Sequence, residues 1–234
     1  MPELLKTLSG ALVVSCQADA GTPLDSPEHI VAIAAAVAEG GASAVRIEGL
    51  RNIEAVRRSV DVPVIGLVKL RRDDTEVYIT PTADDVRRVA QAGAHIVAFD
   101  ATRRPRLADV PTLTEAAKAH GCLAMADIST LEEARSAMAA GADVVSTTMA
   151  GYTSYSSAGE GPDFALMSAL RNAGVPFGAE GRIWTPEEAL RCFELGAHFV
   201  VVGSAITRPT LITQRFVSRL RDFAPAPMQT GGIS

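Results

Sequence analysis

Four glycine–alanine pairs recur along the chain at intervals of 48 to 55 residues, and each leads into a short run of apolar residues. The four segments are "GASAV" from Gly41, "GAHIV" from Gly93, "GADVV" from Gly141 and "GAHFV" from Gly196. A glycine directly after a helix can take the left-handed conformation that ends it, so each pair predicts a helix end followed by a strand. Another apolar run lies between successive pairs, and the repeating unit therefore contains two strand–helix modules.

Short Val- and Ile-rich runs alternate with helical segments along the whole repeat, as is typical of strands in a parallel sheet. We predict strands at residues 11–16, 44–47, 64–69, 96–100, 123–127, 144–147, 177–180 and 199–202. Eight modules without a linker predict one domain, residues 1–222, folded as a (β/α)8 TIM barrel. An open doubly wound sheet is the alternative fold, but no G-x-G-x-x-G follows the first strand. The Pro- and Gly-rich tail, residues 223–234, is predicted to be disordered.

Capping residues predict where two of the helices begin, independently of the glycine–alanine repeat. Thr130 with Glu133 and Thr185 with Glu188 have the capping-box spacing, and Pro186 takes the first helical position, where its missing N–H does no harm. These signals predict that helices begin just after Thr130 and Thr185.

Composition and charge argue against nucleic acid and membranes as partners. The 234 residues are 47% hydrophobic and carry a formal charge of −5, which argues against a nucleic-acid surface, and no apolar run approaches the ~18 residues of a membrane span. Cys16, Cys122 and Cys192 lack metal or disulfide spacing, so we expect reduced thiols and a cytoplasmic protein. His95 and His198 precede strands, on the side of the barrel that confers stability, and no metal site is expected.

Polar residues end most of the predicted strands. They are Gln17, Arg46, Glu48, Lys69, Asp100, Asp127, Thr147, Thr148 and Glu180. Taken singly, such residues are often solvated side chains or helix caps. Barrel active sites lie at the carboxyl ends of the strands, so their joint occurrence predicts a single polar mouth. Because side chains alternate along a strand, Lys69 of "PVIGLVKL" should share the interior face with Ile65 and Leu67.

The last two modules carry a different pattern at their strand ends. "EGR" at residues 180–182 and "GSAITR" at residues 203–208 place small residues after a strand and an arginine nearby. Loops after the seventh and eighth strands of such barrels commonly hold a phosphate group on backbone N–H groups. A tight strand–helix turn is the alternative explanation, and the position in the barrel favours phosphate.

Nine motifs together resemble the N-acetylmannosamine-6-phosphate 2-epimerase family over about residues 16–216. They are "VSCQ", "VRIEG", "PVIGLVK", "ITPT", "FDAT", "MADIST", "TTMAGYTSY", "AEGR" and "VVGSAITRP". The resemblance implies a (β/α)8 enzyme that interconverts N-acetylmannosamine 6-phosphate and N-acetylglucosamine 6-phosphate in sialic acid breakdown, without a metal or an organic cofactor.

The resemblance also implies residue roles. Lys69 would transfer the proton, with Glu180 as its acidic counterpart, and Gln17, Arg46 and Asp127 would hold the sugar. The phosphate would lie against Gly181, Arg182, Gly203, Ser204 and Arg208. Leu70 departs from the charged residue that the resemblance leads us to expect after the lysine.

The expected chemistry is removal of the C2 proton beside the C1 aldehyde, followed by reprotonation of the enolate on the other face. A free lysine has a pKa of ~10.4, so burial and a cation such as Arg46 must lower it before Lys69 can act as a base. Arg46 could also stabilise negative charge developing at O1. Glu180 would make the other proton transfer, or would assist ring opening and orient the lysine.

Three further questions stay open at this point. A strand-end lysine also suits a Schiff-base aldolase, and a non-catalytic phosphosugar-binding regulator would share the pocket. The Gly- and Ser-rich segment 151–163 would be either a lid over the site or a surface turn. Apolar faces on outer helices make a homodimer a further expectation.

Overall fold

Eight parallel strands close into a barrel in the order in which they occur along the chain. The computed structural model describes residues 1–156 and 159–221. The strands are β1 (Ala11–Cys16), β2 (Ala44–Glu48), β3 (Val64–Leu67), β4 (Ile96–Asp100), β5 (Leu123–Asp127), β6 (Val144–Ser146), β7 (Phe177–Glu180) and β8 (Phe199–Val202). Strand β1 pairs with both β2 and β8, which closes the ring and confirms the predicted (β/α)8 TIM barrel.

Helices surround the barrel, and two of them begin directly after Thr130 and Thr185, as the capping signals predict. They are α1 (Glu3–Thr7), α2 (Pro27–Glu39), α3 (Leu50–Arg57), α4 (Ala83–Gln91), α5 (Val110–Ala119), α6 (Leu131–Ala139), α7 (Phe164–Asn172), α8 (Pro186–Glu194), α9 (Ser204–Thr207) and α10 (Pro209–Arg221). Both capping boxes form, from Thr130 to Glu133 and from Thr185 to Glu188, so the backbone N–H groups at those two helix starts are satisfied.

The four repeated glycines have the predicted left-handed backbone. Their φ angles are 99° at Gly41, 103° at Gly93, 90° at Gly141 and 93° at Gly196. An alanine at these positions would be strained, because a side chain with a Cβ rarely adopts this conformation. The repeat therefore marks the point at which each of these helices ends and the chain turns into the next strand.

Apolar side chains fill the barrel interior, so the centre of the fold is a packed core. Ile65 and Leu67 belong to this interior cluster, which confirms the predicted face of β3. Phe199 fills the space beside Gly178, where an added Cβ would lie 2.3 Å from the ring. Glycine at position 178 is therefore required for the large aromatic side chain to fit.

Helix α1 closes the amino end of the barrel and was not predicted. Leu5 and Leu8 are fully or almost fully buried and join the interior cluster. The ring of His198 hydrogen-bonds the carbonyl oxygen of Leu5 at 2.5 Å, and His95 Nδ1 accepts from the N–H of Val64 at 3.0 Å. Both histidines thus satisfy backbone groups on the amino side of the barrel, as their sequence position suggested.

Three strand ends differ from the predicted ones. Strand β2 runs one residue further, to Glu48, and β6 stops at Ser146 because a 3-10 turn, Thr147–Met149, follows it. Strand β3 ends at Leu67, since the next residues leave the barrel and pair antiparallel with a returning segment. Leu70 N–H donates to Tyr78 O at 2.8 Å, and Thr80 N–H donates to Val68 O at 2.9 Å. Lys69 therefore lies on this ribbon, residues 68–70 and 78–80, just beyond the strand.

Three further expectations from the sequence concern the C-terminal tail, the cysteines and membrane-spanning helices. The tail at residues 223–234 lies outside the described residues, and the domain boundary at residue 222 stays a prediction. Cys16, Cys122 and Cys192 are buried and unpaired as disulfides. Within residues 1–156 and 159–221, no helix combines the length and apolar character that crossing a membrane requires.

Candidate active site

A pocket of about 420 Å³ opens at the carboxyl ends of the strands. Nine of the ten site residues predicted from the sequence line it: Gln17, Arg46, Lys69, Glu180, Gly181, Arg182, Gly203, Ser204 and Arg208. The tenth, Asp127, is fully buried behind the wall. The pocket thus brings together four cationic side chains, the carboxylate of Glu180 and two loops of small residues.

Lys69 is held at the mouth of the pocket by contacts of both its side-chain amine and its backbone. Its Nζ donates to Gln17 Oε1 at 2.6 Å, and Gln17 Nε2 in turn donates to Ser15 Oγ at 2.9 Å. The ribbon fixes the lysine backbone through a bridge to Ile79, and the N–H of Lys69 donates to Glu48 Oε1 at 3.3 Å. The amine therefore has a defined place in the pocket.

The pKa of the Lys69 ammonium is lowered from its ordinary value. Desolvation by the pocket walls is the largest cause, and the positive charge of Arg46 is the next. Lys69 is nevertheless exposed to solvent by its surface area, so the lowering is modest in the free protein and a molecule bound against the amine would desolvate it further. A larger fraction of the lysine is consequently neutral, and able to accept a proton, than in a free lysine.

Arg46 forms a buried ion-pair network with two carboxylates. Its Nη2 lies 2.6 Å from Asp127 Oδ2, its Nη1 lies 3.3 Å from Asp127 Oδ1, and Nη1 also pairs with Glu180. Only 1% of Arg46 is exposed, and its Nε has no partner among the described residues. Because its terminal nitrogens point at Asp127 and Glu180, Arg46 positions these carboxylates and offers little surface to a ligand.

Burial raises the pKa of Asp127 to about 6, and the nearby negative charge of Glu180 acts in the same direction. Arg46 opposes this rise but does not abolish it. Asp127 can therefore hold a proton close to neutral pH.

Thr148 joins the two carboxylates from the turn after β6. Its Oγ1 lies 2.8 Å from Asp127 Oδ1, 2.9 Å from Glu180 Oε2 and 3.0 Å from Arg46 Nη1. The sequence marked Thr148 only as one of several polar strand ends, because nothing local distinguishes it from its neighbours.

The ends of β7 and β8 form the other side of the pocket. Gly203 precedes α9, Ser204 begins it, and Arg208 follows it and pairs with the exposed Asp19. Arg182 donates from Nε to Gly161 O at 2.8 Å and from Nη1 to Ala150 O at 2.7 Å. Arg182 thus fastens the loop after β6, whereas the partner of Arg208 is a side chain that an incoming anion could replace.

Besides Asp127, three of the polar strand ends do not line this pocket. Glu48 lines a neighbouring pocket, and Asp100 is fully buried against Arg104, 2.5 Å away. Thr147 Oγ1 donates to the carbonyl oxygen of Glu180 at 2.8 Å and accepts from its N–H at 2.9 Å, so it holds the backbone of β7.

Several pocket residues have no sequence signal. Tyr78 and Ile79 reach the pocket because the ribbon after β3 folds back, and Tyr152 enters from the loop after β6. Trp184 also lines the wall, with the guanidinium of Arg215 4.7 Å from its ring centre. Their positions depend on loop paths that periodicity does not predict.

Two expectations about the site remain predictions. Within the described parts of the chain, no three His, Cys, Asp or Glu side chains are grouped as ligands for a metal ion. Residues 157–158 of the segment 151–163 lie outside the described residues, so the choice between a lid and a surface turn stays open.

Comparison with known proteins points to one family. A family model described as "Putative N-acetylmannosamine-6-phosphate epimerase" matches residues 30–222. Two relatives carry the name "Putative N-acetylmannosamine-6-phosphate 2-epimerase". The protein from Caldanaerobacter subterraneus subsp. tengcongensis is 47% identical over 94% of this chain and 95% of its own length. The protein from Clostridioides difficile is 44% identical over 93% of this chain and 99% of its own length.

A solved structure agrees with these sequence matches. The N-acetylmannosamine-6-phosphate 2-epimerase from Clostridium perfringens superposes with a TM-score of 0.91 at 43% identity, covering 94% of this chain and 97% of that one. The similarity thus extends over nearly the whole length of both chains.

Proposed function

This chain belongs to the N-acetylmannosamine-6-phosphate 2-epimerase family, and we propose how its pocket residues carry out epimerisation at C2 of the sugar. It is an isomerase that interconverts N-acetylmannosamine 6-phosphate and N-acetylglucosamine 6-phosphate, a step of sialic acid catabolism. The observation that carries the proposal is an amine with a lowered pKa, Lys69, in the same pocket as the carboxylate of Glu180.

Lys69 is the residue that moves the C2 proton in this proposal. The C1 aldehyde of the open-chain sugar acidifies the neighbouring C2–H bond, so an amine with a lowered pKa suffices as the base. The proton goes to Nζ and the electron pair of the C–H bond becomes the enolate. The hydrogen bond from Nζ to Gln17 Oε1 at 2.6 Å supports this role, because it orients the amine before the sugar binds.

Glu180 is the acidic counterpart. It lines the pocket with 14% of its side chain exposed, and its carboxylate contacts Arg46, Thr148 and Ser146. When it is protonated, the Glu180 carboxyl group can donate its proton to the enolate on the face opposite the lysine, or, when it is ionised, it can take the O1 proton as the sugar ring opens. In both roles the Glu180 side chain itself transfers the proton.

Proton NMR of N-acetylmannosamine 6-phosphate incubated with the enzyme in D2O tests the reaction. We expect deuterium at C2 of the N-acetylglucosamine 6-phosphate formed, without cleavage of any carbon–carbon bond. Full deuteration of the first product molecules supports Glu180 as the second proton carrier, whereas retained protium indicates that Lys69 returns the same proton. Cleavage, or trapping of Lys69 by borohydride, would contradict the proposal, as would binding without exchange.

We place the phosphate group against Gly181, Arg182, Gly203, Ser204 and Arg208. The glycines bring backbone N–H groups close to an anion, and this is the common phosphate position in such barrels. Arg208 supports the assignment most directly, because its pairing with Asp19, a side chain 69% exposed, can be exchanged for a phosphate.

Replacing Arg208 by leucine is expected to raise KM by roughly 10- to 100-fold with a much smaller change in kcat, since a charge-assisted bond to phosphate is lost. Steady-state kinetics measures both constants. Arg191→Leu, on the outer face of α8, is the matched control and should leave KM unchanged. An unaltered KM in Arg208→Leu would remove the arginine from the phosphate site.

We also propose a cytoplasmic homodimer. Phe216 and Leu220, four residues apart and therefore on one face of α10, are each 66% exposed, and this apolar face supports contact with a second copy of the chain. A phosphorylated substrate and three unpaired cysteines support the cytoplasm as the compartment. Light scattering of the purified chain tests the oligomeric part of this proposal.

A further inference from the structure

The gap between β3 and β4 at the carboxyl end of the barrel is filled by the ribbon that carries Lys69. The two strands pair directly over residues 65–66 and 96–97. Strand β4 continues to Asp100, and the N–H of Asp100 donates to Ile79 O at 3.0 Å. The returning part of the ribbon therefore lies between the end of β3 and the last residues of β4.

The hydroxyl of Thr80 joins the two strands across this gap. Its Oγ1 accepts from the N–H of Val68, just after β3, at 3.3 Å and donates to Ala98 O of β4 at 2.7 Å. A threonine hydroxyl has one proton and two acceptor positions, so both bonds can exist at once. Thr80 is fully buried, and loss of the hydroxyl would deprive both backbone groups of this partner in the protein interior.

The backbone of Thr80 is strained. Its φ is 45°, in the left-handed region, which a β-branched residue rarely adopts. Such a conformation persists where the surrounding contacts stabilise it. The N–H of Thr80 donates to Val68 O at 2.9 Å, so its backbone and its hydroxyl together fasten the ribbon to the barrel. A glycine would avoid the strain but could not make the hydroxyl contacts.

Lys69 depends on these contacts for its position. Its backbone forms an antiparallel bridge with Ile79, which directly precedes Thr80. Val68, directly before the lysine, bonds to Thr80 through both its N–H and its carbonyl oxygen. A displacement of Thr80 would therefore move the backbone from which the Lys69 amine reaches into the pocket.

We propose that Thr80 is a positioning residue, which holds the Lys69 amine at the point where C2 of the sugar binds. Thr80 is fully buried and acts through the backbone of Lys69, whose side chain lines the pocket. A displacement of a catalytic group by about 1 Å can lower the rate by ~10²-fold, so a loosened ribbon slows the proton transfer. This inference rests on the proposed role of Lys69 as the base.

Thr80→Val keeps the branched shape of the side chain and removes the hydroxyl. We expect kcat to fall roughly 10- to 100-fold, because the amine is no longer held in place. KM should change by less than about twofold, since the loops that we assign to the phosphate lie at the ends of β7 and β8. Steady-state kinetics measures both constants. In the ligand-free protein, hydrogen exchange of the Val68 and Leu70 amides, followed by NMR, should become roughly 10-fold faster.

Two more substitutions at position 80 separate the hydroxyl from the backbone strain. Thr80→Ser restores a hydroxyl, so its kcat should return to within about threefold of the wild-type value. Thr80→Gly suits the left-handed backbone but has no hydroxyl, and it should therefore be as slow as the valine variant. If the valine variant does not fold, the serine and glycine variants make the same comparison.

Leu113→Ala is the control for a loss of stability alone. Leu113 is fully buried on α5, so its truncation leaves a cavity and lowers Tm. Because α5 is an outer helix and not part of the ribbon, this variant should keep the kcat and KM of the wild type when it is assayed below its Tm.

The inference would be overturned by an unchanged kcat in Thr80→Val, by unchanged exchange of the ribbon amides, or by a serine variant as slow as the valine variant. A loss of kcat in Leu113→Ala equal to that in Thr80→Val would do the same, because stability alone would then explain it. If the wild-type enzyme does not epimerise the substrate, the proposed function is wrong, and the exchange of the Val68 and Leu70 amides still shows whether Thr80 holds the ribbon.

Discussion

Replacing Lys69 by methionine is expected to lower kcat by roughly 10³-fold, within the range that a positioned acid–base group contributes. Methionine keeps the length of the side chain but has no amine, so the pocket walls remain filled while the base is lost. Deuterium exchange at C2 in D2O should fall in parallel with turnover, because both require the same proton transfer. Rates of epimerisation and of exchange measured on one sample provide this comparison.

Lys69→Arg distinguishes a base from a charge. Arginine keeps the positive charge but stays protonated in proteins, so this variant should be as inactive as the methionine variant. Lys6→Met is the matched control, since Lys6 is exposed on α1 and pairs with the exposed Glu3. Near-full activity in Lys69→Met, or substantial activity in Lys69→Arg, would show that the amine does not move the proton.

Arg46→Met is expected to lower the free energy of unfolding by about 3–5 kcal/mol, because Asp127 and Glu180 would stay buried without their cation. In a domain of this size each kcal/mol lowers Tm by about 2–4 °C. Urea denaturation and calorimetry measure the two quantities. Arg191→Met breaks an exposed pair with Glu194 and should change stability by less than about 1 kcal/mol.

The stability deficit of Arg46→Met should also depend on pH. Burial already raises the folded-state pKa of Asp127 to about 6, above its ordinary value of 3.8. Loss of Arg46 raises that pKa further, and a folded state that binds more protons than the unfolded state loses stability as pH rises through this window. We therefore expect a larger deficit at pH 8 than at pH 5.

A double variant tests the cause. Adding Asp127→Asn to Arg46→Met removes one of the two stranded charges and should recover part of the lost stability. If Arg46→Met is destabilised by less than about 1 kcal/mol, or by the same amount at pH 5 and pH 8, then the buried ion pairs do not stabilise the fold in the way that the geometry indicates.

The fold was predictable because its signals are local and repeat. Gly41, Gly93, Gly141 and Gly196 each need a left-handed backbone at a helix end, whatever the rest of the chain does. Helix α1 was missed because five residues are too short to show a helical period, and its role depends on the interior cluster that it covers.

The membership of the pocket was predictable for a related reason. In a barrel, position at the carboxyl end of a strand determines which side chains meet, and nine of the ten predicted residues line one pocket. Tyr78 could not be found in this way, since it enters on a ribbon whose pairing with Leu70 leaves no alternating pattern in the sequence.

The amino-acid sequence by itself determined the order of strands and helices, the barrel and the set of residues at its mouth, because helix ends, strand faces and strand ends follow from neighbouring residues. The tertiary structure alone decided what those residues do to one another. Arg46 meets Asp127 and Glu180 across 81 and 134 residues of chain, and Thr148 is the hydroxyl between the two carboxylates. Protonation at this site depends on distances and burial, which only the folded chain sets.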